Sequence, residues 1–229
     1  MMSKQRGKLI VIDGIDGAGK ATQSAKLVER LHVEGYATAT FDFPQYDQFF
    51  GQVVARYLRD EFGPVQQISP YLSNFLYAAD RWSQREAITT ALKAGTIVIM
   101  NRYVPSNIVY GSARLPVRHR AAFRAWTKEL EYHQLQIPTE DLTIFLSLSV
   151  QTAQRLLRAK QDRSYLKGRR RDANERDRSY LTTVAKEYER YCRNEPSAQL
   201  IRCEHAATLL TIDQIHERIW GVVESLIRR

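Results

Sequence analysis

Short β-branched runs alternate with longer amphipathic stretches along the chain, starting with Lys8 to Asp13 (KLIVID) and a helical segment from Lys20 to about Gly35. Further runs at Ala37 to Phe43, Thr96 to Met100, Leu142 to Leu148 and Gln199 to Cys203 have strand length and composition, with helical sequence between them. Strands separated by helices pair in parallel. The pattern predicts an open, doubly wound α/β sheet of about five parallel strands with helices on both faces, whose ligands sit at the carboxyl ends of the strands.

Ser69 to Ala94 is predicted as one long helix. Leu72, Phe75, Ala79, Trp82 and Leu92 recur at helical intervals, Ser69-Pro70 supplies a start and Gly95 a stop. One segment departs from the pattern. Arg158 to Arg178 (RAKQDRSYLKGRRRDANERDR) is dense in Arg and Lys and nearly free of large apolar side chains, so it cannot be core.

With 229 residues, 44% of them hydrophobic, the chain can bury a full core, and a single domain over 1–229 is expected. The formal net charge of +9 implies attraction to polyanions without choosing among nucleic acid, membrane surface and small phosphorylated ligands. Cys192 and Cys203 lack both a disulfide framework and metal-ligand spacing, which makes them reduced packing residues. No apolar run approaches the ~18 residues that span a bilayer, and the polar start does not read as a secretory signal. The expected location is cytoplasmic, with no membrane partner.

Gly14-Ile15-Asp16-Gly17-Ala18-Gly19-Lys20 follows a predicted strand and opens a predicted helix, as a phosphate-binding loop requires. Glycines let backbone N–H groups converge on phosphate oxygens, the helix start adds partial positive charge, and the lysine reaches the β and γ phosphates. Gly14, Gly17, Ala18, Gly19, Lys20, Ala21 and Thr22 are the candidate ATP-phosphate contacts. Ala21 stands where a Ser or Thr hydroxyl normally meets magnesium, and Thr22 lies one residue too late to replace it simply.

Three more blocks follow: Phe43-Pro44-Gln45-Tyr46 after the second strand, Leu76-Tyr77-Ala78-Ala79-Asp80-Arg81 in the long helix, and Asn101-Arg102-Tyr103-Val104-Pro105-Ser106-Asn107 after the third strand. With the loop, these blocks resemble the thymidylate kinase family in order and spacing from Lys8 to about Tyr191. Tyr77 and Arg81, four apart on a helix, share a face and can flank one ligand.

The resemblance implies transfer of the γ-phosphoryl of ATP to dTMP with Mg²⁺, and the absence of a hydroxyl at Ala21 and of a charge at Asn101 leaves that ion held mainly by phosphates and water, with no dedicated protein metal site. It assigns Tyr77 to stacking on the base and Arg81 and Asn107 to contacting it. Tyr110 would pack under the sugar and disfavour a 2′-hydroxyl, Phe43 and Tyr46 would line the monophosphate site, and Asp16 would help position acceptor and metal. Arg102 would bridge the donor and acceptor phosphates. The basic segment 158–178 resembles a lid, with Arg158, Arg163 and Arg169 as candidates to reach the phosphates and Asp172 and Glu175 to approach the acceptor sugar. The family is commonly a homodimer through helices packed side by side.

A second departure is Asn101, where the family usually has Asp. Ala21 and Asn101 together remove two groups from the metal's surroundings. A kinase for another nucleoside monophosphate, or a nucleotide-binding protein with impaired catalysis, stays open beside the main reading. Nucleic-acid binding ranks last, because the arginines lack interleaved aromatics beyond Tyr165 and no nucleic-acid motif is present.

Overall fold

The computed structural model describes residues 6–158, 178–206 and 208–228. Strands β1 (Leu9–Asp13), β2 (Thr38–Asp42), β3 (Ile97–Asn101), β4 (Leu142–Ser147) and β5 (Ala198–Arg202) form one sheet in the order β2-β3-β1-β4-β5, every pairing parallel. All five residues of β1 are buried, as are four of the five in β3 and five of the six in β4. A strand hidden along its whole length has cover on both faces, which is why these runs are continuously apolar and do not alternate. The predicted strands are therefore found, each to within a residue or two.

Helices α1 (Lys20–Val33) and α9 (Ile212–Ile227) pack together, with Leu27 and Leu31 of the first and Ile215, Ile219 and Val223 of the second at helical spacing in the core. A capping box between Thr211 and Gln214 starts α9, and the Arg30 guanidinium lies 4.2 Å from the centre of the Trp220 ring. Helices α5 (Val104–Ala113) and α8 (Arg178–Asn194) pack on each other, and Tyr188 and Tyr191 of α8 meet Phe145 of β4. Cys192 and Cys203 are free thiols. Burial pushes both up to about 12, as inert packing residues require.

The long helix is a correction on two counts. It divides at Gln84 into α3 (Pro70–Ser83) and α4 (Arg85–Lys93), because Gln84, at φ −103° and ψ 2°, leaves the helical path. Much of the apolar series that identified the helix also faces outward: Leu72 is 56% exposed, Phe75 49% and Trp82 46%, while Ser73, Asn74, Asp80 and Arg81 are buried. Polar side chains occupy the inner face because each finds a partner beyond the helix: Ser73 accepts from Arg114, Asn74 donates to the Asn107 carbonyl and Thr127, Asp80 accepts from Gln45 N, and Arg81 pairs with Glu131. Only Leu92, on α4, lies in the core as expected.

Two smaller features were not legible. A hairpin of β6 (Glu204–His205) and β7 (Thr208–Leu209) follows β5, and α6 (Val117–Lys128) runs into a π-helical turn over Glu129–Gln134. Helix α2 (Phe49–Leu58) closes one side of the crevice above β2, and α7 (Val150–Arg158) follows β4. No helix among the described residues is long and apolar enough to cross a membrane.

Candidate active site

Strand order reverses direction around β1, so the carboxyl ends of β1, β3 and β4 open into one crevice. The loop leaving β1 needs its glycines. Gly14 has φ +144° and Gly17 φ +89°, and a Cβ on Gly17 would lie 2.2 Å from the Ala153 carbonyl oxygen of α7. Only a residue without a side chain passes there. Lys20 opens α1 with its ammonium folded back, Nζ donating to the carbonyls of Gly14 at 3.0 Å and Ile15 at 3.1 Å. Burial, with Arg102 nearby, lowers its pKa to about 8 against the opposing pull of Asp16 and Asp13. Ala18 is buried behind the loop, while Ala21 and Thr22 are exposed on the first turn of α1.

Arg102, just past β3, adopts a left-handed backbone with φ 64°, a conformation disfavoured for an arginine. That turn aims its guanidinium back across the crevice. Nη2 donates to Asp16 Oδ1 at 2.6 Å, and Nη1 donates to Ser106 Oγ at 3.4 Å. Burial would lower the Arg102 pKa, but Asp16 and its neighbours more than offset this and hold it well above its ordinary value. Beneath it Asp13, fully buried, accepts from Gly14 N at 2.8 Å, Ser106 Oγ at 2.7 Å and Tyr188 Oη at 3.1 Å. Sequence reasoning missed Asp13. An acid ending an otherwise apolar strand was the available signal.

Beside the loop lies a cavity walled by aromatic and cationic side chains. Asp16, Phe43, Tyr46, Tyr77, Arg81, Arg102, Asn107 and Tyr110, all expected at the monophosphate site, line it together. They come from the segments that follow β1, β2 and β3 and from helices α3 and α5. The Arg102 guanidinium lies 5.2 Å from the centre of the Tyr110 ring, and Tyr57 meets Tyr77 edge to face at 6.2 Å. Tyr57, Ser73, Arg114 and Tyr180 also line the cavity and were missed. Arg114 is held by Tyr57 Oη at 3.1 Å, Ser73 Oγ at 3.0 Å and the carbonyls of Val65 and Ile68.

At the far end from the loop, Arg81 is 2% exposed and forms a two-pronged pair with Glu131, which is 0% exposed: Nε to Oε2 2.7 Å and Nη2 to Oε1 2.8 Å. Burial pulls the Arg81 pKa down, yet Glu131 raises it further, so the guanidinium stays charged. Asn107 donates from Nδ2 to Glu131 Oε1 at 2.7 Å and to the Asn74 carbonyl at 3.1 Å. With both amide protons used on fixed oxygens, Asn107 Oδ1 is left without a partner among the described residues, as is Arg81 Nη1. Two residues of the cavity lining therefore each keep one group for a ligand, an acceptor on Asn107 and a donor on Arg81.

The described residues include no group of three or more His, Cys, Asp or Glu that could hold a metal. Asn101 Oδ1, buried at the end of β3 without a partner among the described residues, and the Asp16 carboxylate are hard oxygen donors at this end of the sheet, whereas the Asp13 carboxylate is already taken by Gly14 N, Ser106 Oγ and Tyr188 Oη. This set suits magnesium arriving with phosphates and keeping its waters. Arg163, Arg169, Asp172 and Glu175, with most of segment 158–178, lie outside the described residues.

The thymidylate kinase family model matches residues 12–219. A thymidylate kinase from Mycobacterium tuberculosis (strain H37Rv) is 35% identical over 170 residues, which cover 74% of this chain and 78% of that protein. The Homo sapiens thymidylate kinase is 30% identical over 152 residues, 66% of either chain. The solved structure of thymidylate kinase from Candida albicans shares the fold, with a TM-score of 0.69 at 21% identity over 96% of this chain and 92% of that one.

Proposed function

The chain belongs to the thymidylate kinase family, and from that premise we propose that it transfers the γ-phosphoryl of ATP to dTMP, giving ADP and dTDP. One observation of the site carries the choice of base: Arg81 Nη1 and Asn107 Oδ1 stand unpartnered at the cavity's inner end. Thymine presents a carbonyl at C4 and an N–H at N3, the complement of that donor and acceptor. Cytosine presents the reverse, an amino group and a bare ring nitrogen. Each reversed pair leaves two like groups facing each other in a buried site, which is strongly disfavoured.

In this reading Tyr77 supplies the stacking surface, Phe43 and Tyr46 close the side of the pocket, and Tyr110 lies under the sugar. The phosphates point toward Asp16, Arg102 and Lys20. The reaction is a direct in-line displacement in which Lys20 and Arg102 offset charge on the transferring group. The loop N–H groups cradle the triphosphate. Arg163 and Arg169 of the lid would add to this charge, and Asp172 and Glu175 would face the acceptor sugar. Asn101 and Asp16 are the residues whose oxygens would face a magnesium ion, which would supply further neutralisation of phosphate charge. The setting in this reading is the cytoplasm, with nucleotides as the partners and neither nucleic acid nor membrane involved.

The exposed Leu72, Phe75 and Trp82 on α3 support a homodimer, because a second copy would cover an apolar stripe that solvent otherwise meets. Coupled ADP release with a panel of nucleoside monophosphates at varied magnesium tests the activity. Release that requires dTMP sustains the proposal, and release indifferent to the acceptor rejects it.

A further inference from the structure

We propose that Glu131 is the positioning residue that sets base specificity, by fixing which end of the Asn107 amide faces the acceptor pocket. The inference rests on the proposed base reading and extends it to a side chain that does not line the cavity. Glu131 lies fully buried and takes three hydrogen bonds on its two oxygens: two from Arg81, at 2.7 and 2.8 Å, and one from Asn107, at 2.7 Å. An ionised carboxylate accepts and never donates. Asn107 must therefore turn its NH₂ toward Glu131 and its oxygen toward the cavity. The same carboxylate occupies two edges of the Arg81 fork and leaves the third, Nη1, for the ligand.

The surroundings make this arrangement rigid. Asn74 Nδ2 donates to the Asn107 carbonyl at 3.3 Å and to Thr127 Oγ1 at 3.1 Å, and Asn107 returns a bond to the Asn74 carbonyl. Phe123, Thr127 and Glu131 recur every four residues and are buried, so α6 and the turn after it deliver the acid to the α3–α5 seam. That turn is π-helical over Glu129–Gln134, a rare geometry that marks functional positions more often than chance. An ion pair buried to this degree is weak support for stability, since well-packed apolar residues do as well or better. Specificity supplies the reason to keep it: an apolar residue at 131 would leave the Asn74 carbonyl as the one remaining acceptor that orients the Asn107 amide.

The test compares Glu131→Gln and Glu131→Asp in the full chain, using dTMP and dCMP as acceptors and ATP as donor. Glutamine replaces one acceptor oxygen with a donor. Because Oε1 takes both Arg81 Nη2 and Asn107 Nδ2, a glutamine that keeps its carbonyl on Arg81 Nε sets its NH₂ against Arg81 Nη2 and Asn107 together; of these two only the Asn107 amide can turn over to accept it, which suits the bare N3 of cytosine. Expected is a fall of roughly tenfold or more in the dTMP-to-dCMP ratio of kcat/KM, read mainly in the two acceptor KM values, with ATP KM unchanged. Aspartate keeps the acceptor character and should hold the ratio within about threefold while dTMP KM rises.

A folded Glu131→Gln enzyme with the wild-type ratio would overturn the proposal. Should that variant not fold, Glu131→Asp decides alone. A raised dTMP KM with unaltered ATP KM sustains the assignment, and no change, or an equal change in both, refutes it. A wild type that uses dCMP as readily as dTMP would reject the base reading itself and this proposal with it. That outcome is distinguishable, because it requires no variant.

Discussion

Asp16 Oδ1 lies 2.6 Å from Arg102 Nη2 and 3.5 Å from Lys20 Nζ, so one carboxylate bridges both cations that the phosphates are to meet. Nucleotide must replace part of this bridge. The Asp16 charge keeps Arg102 and Lys20 from repelling each other until it does.

Lys20 gives this a pH signature. Its pKa of about 8 in the free protein, set by burial and by Arg102, means that it loses its proton as pH rises through that value. Bound phosphates favour the charged form, so ATP affinity should be constant below about pH 7 and fall up to tenfold per pH unit above about 8. Asp16→Asn removes a charge that raises the Lys20 pKa and should move the break to lower pH. Calorimetric ATP titrations from pH 6 to 10 read both effects. Lys20→Ala should bind weakly at every pH and transfer no phosphate.

Arg81 and Glu131 should behave as one unit in stability. Removing either partner strands a buried charge, so Arg81→Ala and Glu131→Ala are each expected to cost about 3–5 kcal/mol. The double variant should cost clearly less than the two together, because neither charge remains. Urea unfolding of the four proteins closes the cycle. Additive losses would mean that the pair contributes nothing beyond its separate side chains.

This pair also marks where the sequence stops being informative. The strands and the loop from Gly14 to Lys20 were readable because each depends on local spacing, and the cavity-lining residues from Asp16 to Tyr110 were expected from the family resemblance that their short blocks carry. Glu131 lies 50 positions from Arg81, and nothing local ties them. Its four-residue spacing from Thr127 and Phe123 was the one available hint, since it puts an acid on an apolar face. Helix α3 misled for a related reason: periodicity identifies an apolar stripe and cannot say whether core or another surface covers it. The break at Gln84 carries neither Gly nor Pro, and so gave no signal.

Ala21 leads to an expectation about magnesium. No side-chain oxygen stands at that exposed position on the first turn of α1, and Asn101 carries no charge. Activity should survive but need more free magnesium. Ala21→Thr should lower the magnesium required for half-maximal rate, a tenfold shift corresponding to ~1.4 kcal/mol. Titrations at saturating nucleotide separate this from overpacking, which would lower the plateau and leave the midpoint in place.

Glu140 should make stability depend on pH near neutrality. Burial lifts its carboxyl from the ordinary 4.5 to about 7, although Tyr132 Oη lies 2.9 and 2.7 Å from its two oxygens. The folded chain thus binds this proton more tightly than the unfolded one. The associated stability is complete below pH 4.5, is lost as pH rises to about 7, and stays lost above it. Glu140→Gln keeps a partner for Tyr132 without the titration. Relative to wild type it should gain on the order of 3 kcal/mol between pH 4.5 and 8, measured by urea unfolding. A constant difference across that range would show that Glu140 does not titrate there.

The most direct test of the central claim is the ratio of kcat/KM for dTMP to that for dCMP in the wild-type enzyme, at saturating ATP and magnesium. In the proposed reading Asn107 offers its oxygen and Arg81 its N–H to the base, so a ratio of roughly a hundredfold or more in favour of dTMP is expected. Equal use of the two acceptors would contradict the account, because a wall with one fixed donor and one fixed acceptor cannot suit both bases.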